Sequence, residues 1–360
     1  MIFIDFEKAF DRVSHSKLLL KLQPILKNDL LLAWISAYLS SRRQSVFIDG
    51  VRSDSAPVQS GIPQGSVLGP LFFLIFVNDI IQVVNVKIRL FADDCILYQE
   101  INNCSDQVCL NSSLASVEAW CATWQMTMNA KKTVAMSITR KRNPLKFSYS
   151  TGGNILSTVS SYKYLGLVIT SDLRWNEHMS YISKKAMRKL GYLRRSLRQS
   201  TQEIRLLAYK TYIRPILEYA SVVWDPYTQK NITQLESIQR KSVRFIFNCY
   251  SWQVSPTVLL NNANLEPLKL RRYRDRLKYM YLLYHDMLGI DKDVYINLVS
   301  KRPTRSNHSK KIKEFSCRTN VFKNSFFPRT VREWNALTSS TVECPTVQSF
   351  CGMLNSIEAK

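Results

Sequence analysis

Ile2-Phe3-Ile4-Asp5-Phe6-Glu7-Lys8-Ala9-Phe10-Asp11 and Arg89-Leu90-Phe91-Ala92-Asp93-Asp94-Cys95-Ile96-Leu97-Tyr98 are the two stretches that decide this fold. In each, an apolar run with strand character delivers carboxylates at or near its end. Met1–Asp5 is continuous rather than alternating, as a buried strand reads. Two strands around Asp93-Asp94 make a hairpin with those acids at its tip. Set beside a strand carrying Asp5, the hairpin brings three carboxylates close together. Such a cluster repels itself unless cations sit in it. Hard oxygen donors suit Mg²⁺, which keeps several waters and takes one or two carboxylates plus substrate phosphates. Two such ions clamp the attacking and leaving oxygens of a phosphoryl transfer.

Charge is divided unevenly along the chain. Residues 1–130 hold 10 Lys and Arg against 12 Asp and Glu, a net of −2, and the remainder holds 40 against 15, a net of +25, so all of the chain's positive excess lies after residue 130. That asymmetry suits a polyanion partner. A hydrophobic content of 46% supplies a packed core and excludes general disorder. The eight cysteines include no Cys-x-x-Cys, and with four histidines no zinc spacing emerges. Cys317, Cys344, Cys351 and His308 read as scattered groups, and reduced thiols point to an intracellular chain, in cytoplasm or nucleus and not secreted. The apolar run Val67–Val77 is too short to span a bilayer, so no membrane partner is expected. The charged start is no signal peptide.

Along the chain, Ser14 or Ser16 caps a helix through Leu18-Leu19-Leu20, and Leu30–Tyr38 repeats apolar residues at helical spacing. Gln44–Ile48 and Val51 onward form a hairpin turned by Asp49-Gly50. Ser66–Val83 reads as a buried helix with Pro70 in its first turns. Ser105–Met128 is helical, with Val108, Leu114, Val117, Trp120, Cys121 and Trp124 as its buried stripe. Strands are expected at Val134–Ile138, Phe147–Ser150 and Tyr164–Thr170. Helices follow at Glu177–Arg198, Thr201–Tyr219, Gln229–Phe247 and Leu268–Leu288.

Several blocks in this order resemble the palm of reverse transcriptases, most closely those of jockey-type non-LTR retrotransposons. Phe3-Ile4-Asp5 through Phe10-Asp11 is similar to motif A, and Ser60-Gly61-Ile62-Pro63-Gln64-Gly65-Ser66-Val67-Leu68-Gly69-Pro70 to motif B. Phe91-Ala92-Asp93-Asp94 resembles motif C, Asn129-Ala130-Lys131-Lys132-Thr133 motif D, and Tyr164-Leu165-Gly166 motif E. The stretches Phe326-Phe327-Pro328-Arg329-Thr330 and Glu333-Trp334-Asn335 are similar to the tails of these elements.

The resemblance implies an α+β right-hand polymerase fold. Residues 1–170 would be the palm, an antiparallel sheet with packed helices. Residues 171–250 would be a helical thumb, and 251–360 a basic, mixed, mainly helical C-terminal extension. The implied activity is RNA-directed DNA polymerisation, the transfer of deoxynucleotides to a primer 3′-hydroxyl. Two Mg²⁺ ions, with Mn²⁺ as substitute, would be held by Asp5 and Asp93, supported by Asp94 and the backbone carbonyl of Phe6. Phe10, five residues after Asp5, would collide with a ribonucleotide 2′-hydroxyl. Gln64 and Gly65 would approach the template base and the nucleotide. Lys131 or Lys132, the Asn-x-x-Lys spacing favouring Lys132, would give a proton to the departing pyrophosphate. Tyr164, Leu165 and Gly166 would grip the primer. RNA template, DNA primer, RNA–DNA hybrid and dNTPs are the implied partners; oligomeric state is left open. Asp11 reads equally well as a cap for the following helix.

Lys184, Arg188 and Arg195 fall on one helical face, and Arg271, Arg272, Arg274, Arg276 and Lys278 form a second basic cluster. Phosphate contacts from such faces position a near-A-form hybrid without reading its sequence.

The resemblance also implies a fingers region and an endonuclease ahead of motif A, and 1–360 contains neither. The chain is therefore expected to be a fragment that binds nucleic acid yet fails to extend a primer, with Asp5 near a fraying terminus. A non-catalytic remnant that binds nucleic acid through its basic half is the alternative. A nucleotide cyclase is a third reading, which the motif-B block opposes.

Overall fold

Ile2–Ile4 is fully buried and forms the middle strand of a five-stranded sheet in the computed structural model, which describes residues 1–139, 141, 143–298 and 308–356. From edge to edge the strands are Ser157–Thr158, Val134–Ala135, Ile2–Ile4, Asp94–Tyr98 and Lys87–Phe91. Period-2 alternation divides the sheet into two faces. Ile2, Ile4, Cys95 and Leu97 face one core with the helices His15–Leu26, Leu68–Val77 and Cys104–Trp124. Phe3, Ile96, Val134 and Met136 face a smaller cluster, covered by Tyr162, Tyr164 and Ile169.

The first strand is held at its start as well as its middle. The Met1 ammonium donates to the Met136 carbonyl at 3.0 Å, and Met136 N–H donates to the Met1 carbonyl at 2.8 Å. These two bonds tie Met1, just ahead of the strand, to its neighbour.

Capping places the helices. Asn28 accepts from Leu31 N–H ahead of the helix Asp29–Leu39, and Asn103 with Asp106 forms a capping box for Cys104–Trp124. On the latter helix Val108 is exposed, and Gln107, Leu110 and Ser113 complete the buried stripe instead. At Asp49-Gly50 both φ values are positive, as a primed hairpin turn requires. Lys21, buried on the first helix, contacts the faces of Trp124, Trp120 and Phe76 and pairs with Asp79 at 2.6 Å.

Three strand expectations change. Tyr164–Thr170 is not one strand but part of a hairpin, Ser161–Tyr164 against Leu167–Thr170, because Leu165 and Gly166 both take positive φ. Phe147–Ser150 contributes only Ser150, in the two-residue strand Ser150–Thr151 that pairs with Asn154–Ile155 across Gly152-Gly153. Val134–Ile138 shortens to Val134–Ala135.

The chain divides into two compact units, Met1–Asp172 and Leu173–Lys360. The second is helical. Its central helix, Leu268–Tyr284, packs on Ser221–Trp224, Gln229–Ile246, Phe326–Asn335 and Val347–Asn355. The expected Thr201–Tyr219 helix is interrupted by a π turn at Tyr209–Ile213, between Gln202–Ala208 and Arg214–Glu218. In the helix Asn176–Ser196, His178 is 1% exposed against Trp224, and burial pushes its imidazole down to about 4. The folded state then binds fewer protons than the unfolded state, so stability rises with pH across this window. This contribution should be full above 6.5, the ordinary value, and be lost as pH falls toward about 4. Comparing urea unfolding of His178→Phe and the unaltered chain across that window checks it; parallel pH profiles would refute it.

Candidate active site

The register of the sheet puts the acids together. Ile4 pairs with Cys95, Phe3 with Ile96 and Ile2 with Leu97. Continuing that register places Asp5 across from Asp94. Both share the face of Phe3 and Ile96, since side chains two apart point the same way. Phe91 pairs with Asp94, so the turn is Ala92-Asp93, with Ala92 at φ 51°. The acids thus flank the end of the turn: Asp93 closes it and Asp94 opens the next strand.

Electrostatics agree with this placement. The Asp94 carboxyl is raised by burial, then by the charges of Asp93 and Asp5. Tyr162 is raised by burial, then by Asp5 and Asp94, and Tyr164 by burial, then first by Asp94. A cation at this end of the sheet would relieve the carboxylate repulsion. Among the described residues, no three Asp, Glu, His or Cys side chains are arranged to hold an ion together. The donor chemistry fits Mg²⁺, which draws one or two carboxylates and completes its shell with water and phosphate.

The backbone of Asp5 is locked on its other side. Asn129 N–H donates to the Asp5 carbonyl at 2.8 Å, and Glu7 N–H donates to the Thr127 carbonyl at 2.8 Å. These bonds flank an antiparallel bridge between Phe6 and Met128. In such a pair the residue's own C=O points away from the partner strand. The Phe6 carbonyl therefore points away from Met128. The Lys132 ammonium lies 3.7 Å from the Asp5 carboxylate, which distinguishes it from Lys131.

Phe10 stacks on Phe73 with ring centroids 4.3 Å apart and is half-buried. Both line a cavity of about 610 Å³ that reaches Leu90, Phe91 and Ala92. Asp11 does not cap a helix; its carboxylate accepts from Gln64 Nε2 at 3.0 Å. Gly61 donates to the Val13 carbonyl, and Ile62 N–H donates to the Phe10 carbonyl. A Cβ on Gly61 would sit 2.8 Å from both Cα and O of Asp11. Gly65, at φ 84°, faces open space. The segments 10–13 and 60–64 thus form one welded corner.

The hairpin of Tyr164, Leu165 and Gly166 covers the acid-bearing face. Phe3 stacks on Tyr162 at 4.2 Å and meets Tyr164 at 5.7 Å. Tyr162 was not read as a site residue. The signal was present, as two tyrosines at the period of a strand.

In the second unit, Lys184, Arg188 and Arg195 are exposed on Asn176–Ser196. The second basic cluster is corrected. Arg272 and Arg276 are buried and share Asp225; Arg272 Nε lies 2.6 Å from it, and Arg276 also pairs with Glu333 at 2.6 Å. Arg271 pairs with Glu218 and Arg274 with Glu266. Of the five, only Lys278 is left exposed, because the helix carrying them is the centre of the unit. His308 is buried against the Trp334 carbonyl, and Cys344 bonds to the Ser340 carbonyl, so they do not converge on one site.

Residues 1–169 match the family model for reverse transcriptase (RNA-dependent DNA polymerase). The Probable RNA-directed DNA polymerase from transposon BS of Drosophila melanogaster is 28% identical over 77% of this chain and 32% of its own length. The RNA-directed DNA polymerase from mobile element jockey of Drosophila funebris is 26% identical over 83% of this chain and 33% of its own. The chain spans about a third of the length of these curated relatives. A solved structure of telomerase from Candida albicans, in complex with a fragment of telomeric RNA, is 18% identical and covers 73% of this chain and 46% of its own, at a TM-score of 0.33. At that score the likeness supports no structural argument.

Proposed function

Residues 1–169 belong to the reverse transcriptase family, in the branch of non-LTR retrotransposons, and on that premise we propose that they form the palm of an RNA-directed DNA polymerase. The observation that carries the reading is the register placing Asp5 across from Asp94, with Asp93 at the adjoining turn. Asp5, Asp93, Asp94 and the Phe6 carbonyl would hold Mg²⁺. When bound, the ions supply neutralisation of the carboxylates and polarisation of the reacting oxygens. What the chain supplies is position, which accounts for most of the barrier reduction in such transfers. Tyr162 and Tyr164 wall the face where a primer end would lie. Lys132 makes only an exposed pair with Asp5, worth little, so a phosphate can draw it away. RNA template, DNA primer and dNTPs are the partners this reading assigns.

RNA-templated extension of a DNA primer tests it, run on 1–360 and on a longer version carrying upstream sequence. Mg²⁺-dependent incorporation by the longer version, stopping with chelator and returning with added Mg²⁺, is expected, with little or none by 1–360. No incorporation by either chain would overturn the reading.

Phe10 is pinned by its stack on Phe73, so its ring cannot swing aside from a sugar. Phe10→Ala is expected to raise ribonucleotide over deoxynucleotide incorporation by about tenfold or more, the scale of a single shape contact. An unchanged ratio in competition would make Phe10 a core residue alone.

The exposed row Lys184, Arg188 and Arg195 would contact the backbone of an RNA–DNA hybrid in a thumb-like unit. Binding should weaken by roughly 0.7 to 0.9 log units per log unit of salt for each phosphate neutralised. Charge reversal at the three positions should flatten that slope; an unchanged slope would place the contacts elsewhere.

A further inference from the structure

The exposed ridge of Asn176–Ser196 carries more than charge. At about 3.6 residues per turn, Tyr192 and Arg194 project on opposite sides of Arg188 and Arg195. On one flank, Lys189 lies 5.6 Å from the Tyr192 ring and 5.7 Å from the Tyr212 ring. Those tyrosines are 56% and 54% exposed. Tyr212 is presented by the π turn Tyr209–Ile213, a kind of interruption that recurs at functional sites. On the other flank, the Arg194 guanidinium lies 4.7 Å from the Tyr250 ring.

The loop bearing Tyr250 is staked in place. Arg244 donates to the carbonyls of Ser251 at 2.7 Å, Val254 at 3.1 Å and Cys249 at 3.4 Å. On this fixed loop Trp252 is 87% exposed. Holding an indole in water costs hydrophobic free energy, and three side-chain hydrogen bonds hold the loop that presents it. Exposed aromatic rings interleaved with cations are what unpaired bases need, since every base has a π-face and every linkage a phosphate. A paired duplex keeps its base faces stacked inside and offers such rings nothing to stack on.

We propose that Tyr192, Tyr212, Tyr250 and Trp252, with Lys189 and Arg194 against their rings, form a stacking platform for single-stranded nucleic acid. The inference rests on the polymerase reading only in choosing nucleic acid as the polyanion. It assigns this unit a second mode of binding, by base stacking, beside backbone contact from Lys184, Arg188 and Arg195.

The test is fluorescence anisotropy with the full chain, using oligo-dT and oligo-rU 30-mers and a duplex of equal length. Trp252→Ala is expected to weaken single-strand binding about 5- to 100-fold, the scale of one lost base stack, and duplex binding less than about twofold. The pair Tyr192→Ala and Tyr212→Ala should behave likewise, whereas Trp252→Phe should retain most of the affinity. Every altered side chain is largely exposed, so folding is not at issue. Unchanged single-strand affinity, or equal loss on duplex, would overturn the platform. Primer extension is read separately. If neither 1–360 nor the longer version extends a primer, yet the single-strand-selective loss is seen, the platform stands and the polymerase reading falls; extension without that loss does the reverse.

Discussion

Asp93→Ala should lower RNA-templated primer extension on the order of 10³-fold, equivalent to about 4 kcal/mol of transition-state stabilisation. Asp93 is exposed and closes a two-residue turn whose strain resides in the preceding Ala92. Truncation therefore removes a carboxylate and disturbs no core packing, and the thermal midpoint should stay within a degree or two of the original. The loss falls on the chemical step because removing one of the three neighbouring carboxylates takes away a donor that the others do not supply. Asp94 also feels Asp93 as a repelling charge, so its raised carboxyl should relax downward in the variant. Steady-state extension by a chain that copies RNA measures the first effect; activity within about tenfold of the original would exclude Asp93 from the site.

Asp225→Ala should destabilise the second unit by about 3–5 kcal/mol, the cost of leaving buried charge without its partner. Asp225 is 8% exposed and stands between Arg272, Arg276 and Arg329. Burial pushes the Arg272 and Arg276 guanidiniums down to about 10, which still leaves both charged at neutral pH. Removing the acid strands two cations in the helical core, with Glu333 as partner for Arg276 alone of the two. Adding Arg272→Met and Arg276→Leu to Asp225→Ala should recover part of the loss, since apolar replacement of a buried ion cluster is often neutral. Urea unfolding checks both steps. A loss below about 1 kcal/mol for Asp225→Ala would mean that water reaches the cluster and screens it.

The acids and their strands were legible in sequence because chemistry and period coincide there. Asp5 ends an apolar run, and Asp93-Asp94 interrupts another. That the acids meet was legible; the register was not, since it is fixed by long-range pairs such as Ile4 with Cys95. Arg271–Lys278 shows the opposite limit. Basic density on a helix reads as an exposed face, yet the partners that bury Arg272 and Arg276 are Asp225 and Glu333, each tens of residues away. At Leu165-Gly166 the resemblance implies a tight hairpin, as the structure has it, whereas the residue pattern alone reads as one strand over Tyr164–Thr170. A leucine at positive φ carries no turn signal of its own, so only Gly166 marked the bend. Val108 differs for a simpler reason: at about 3.6 residues per turn it stands on the face opposite Val117, and Gln107 takes the inward place.

The corner at Gly61 limits which substitutions this part of the chain can absorb. The atoms that a side chain at 61 would strike belong to the main chain of Asp11, not to a side chain that another substitution could trim. Trimming a neighbouring side chain therefore does not make room for a replacement there; the main chain itself has to shift. Tolerance at position 61 is thus set by how far the segment 10–13 can move, not by the size of the side chains around it.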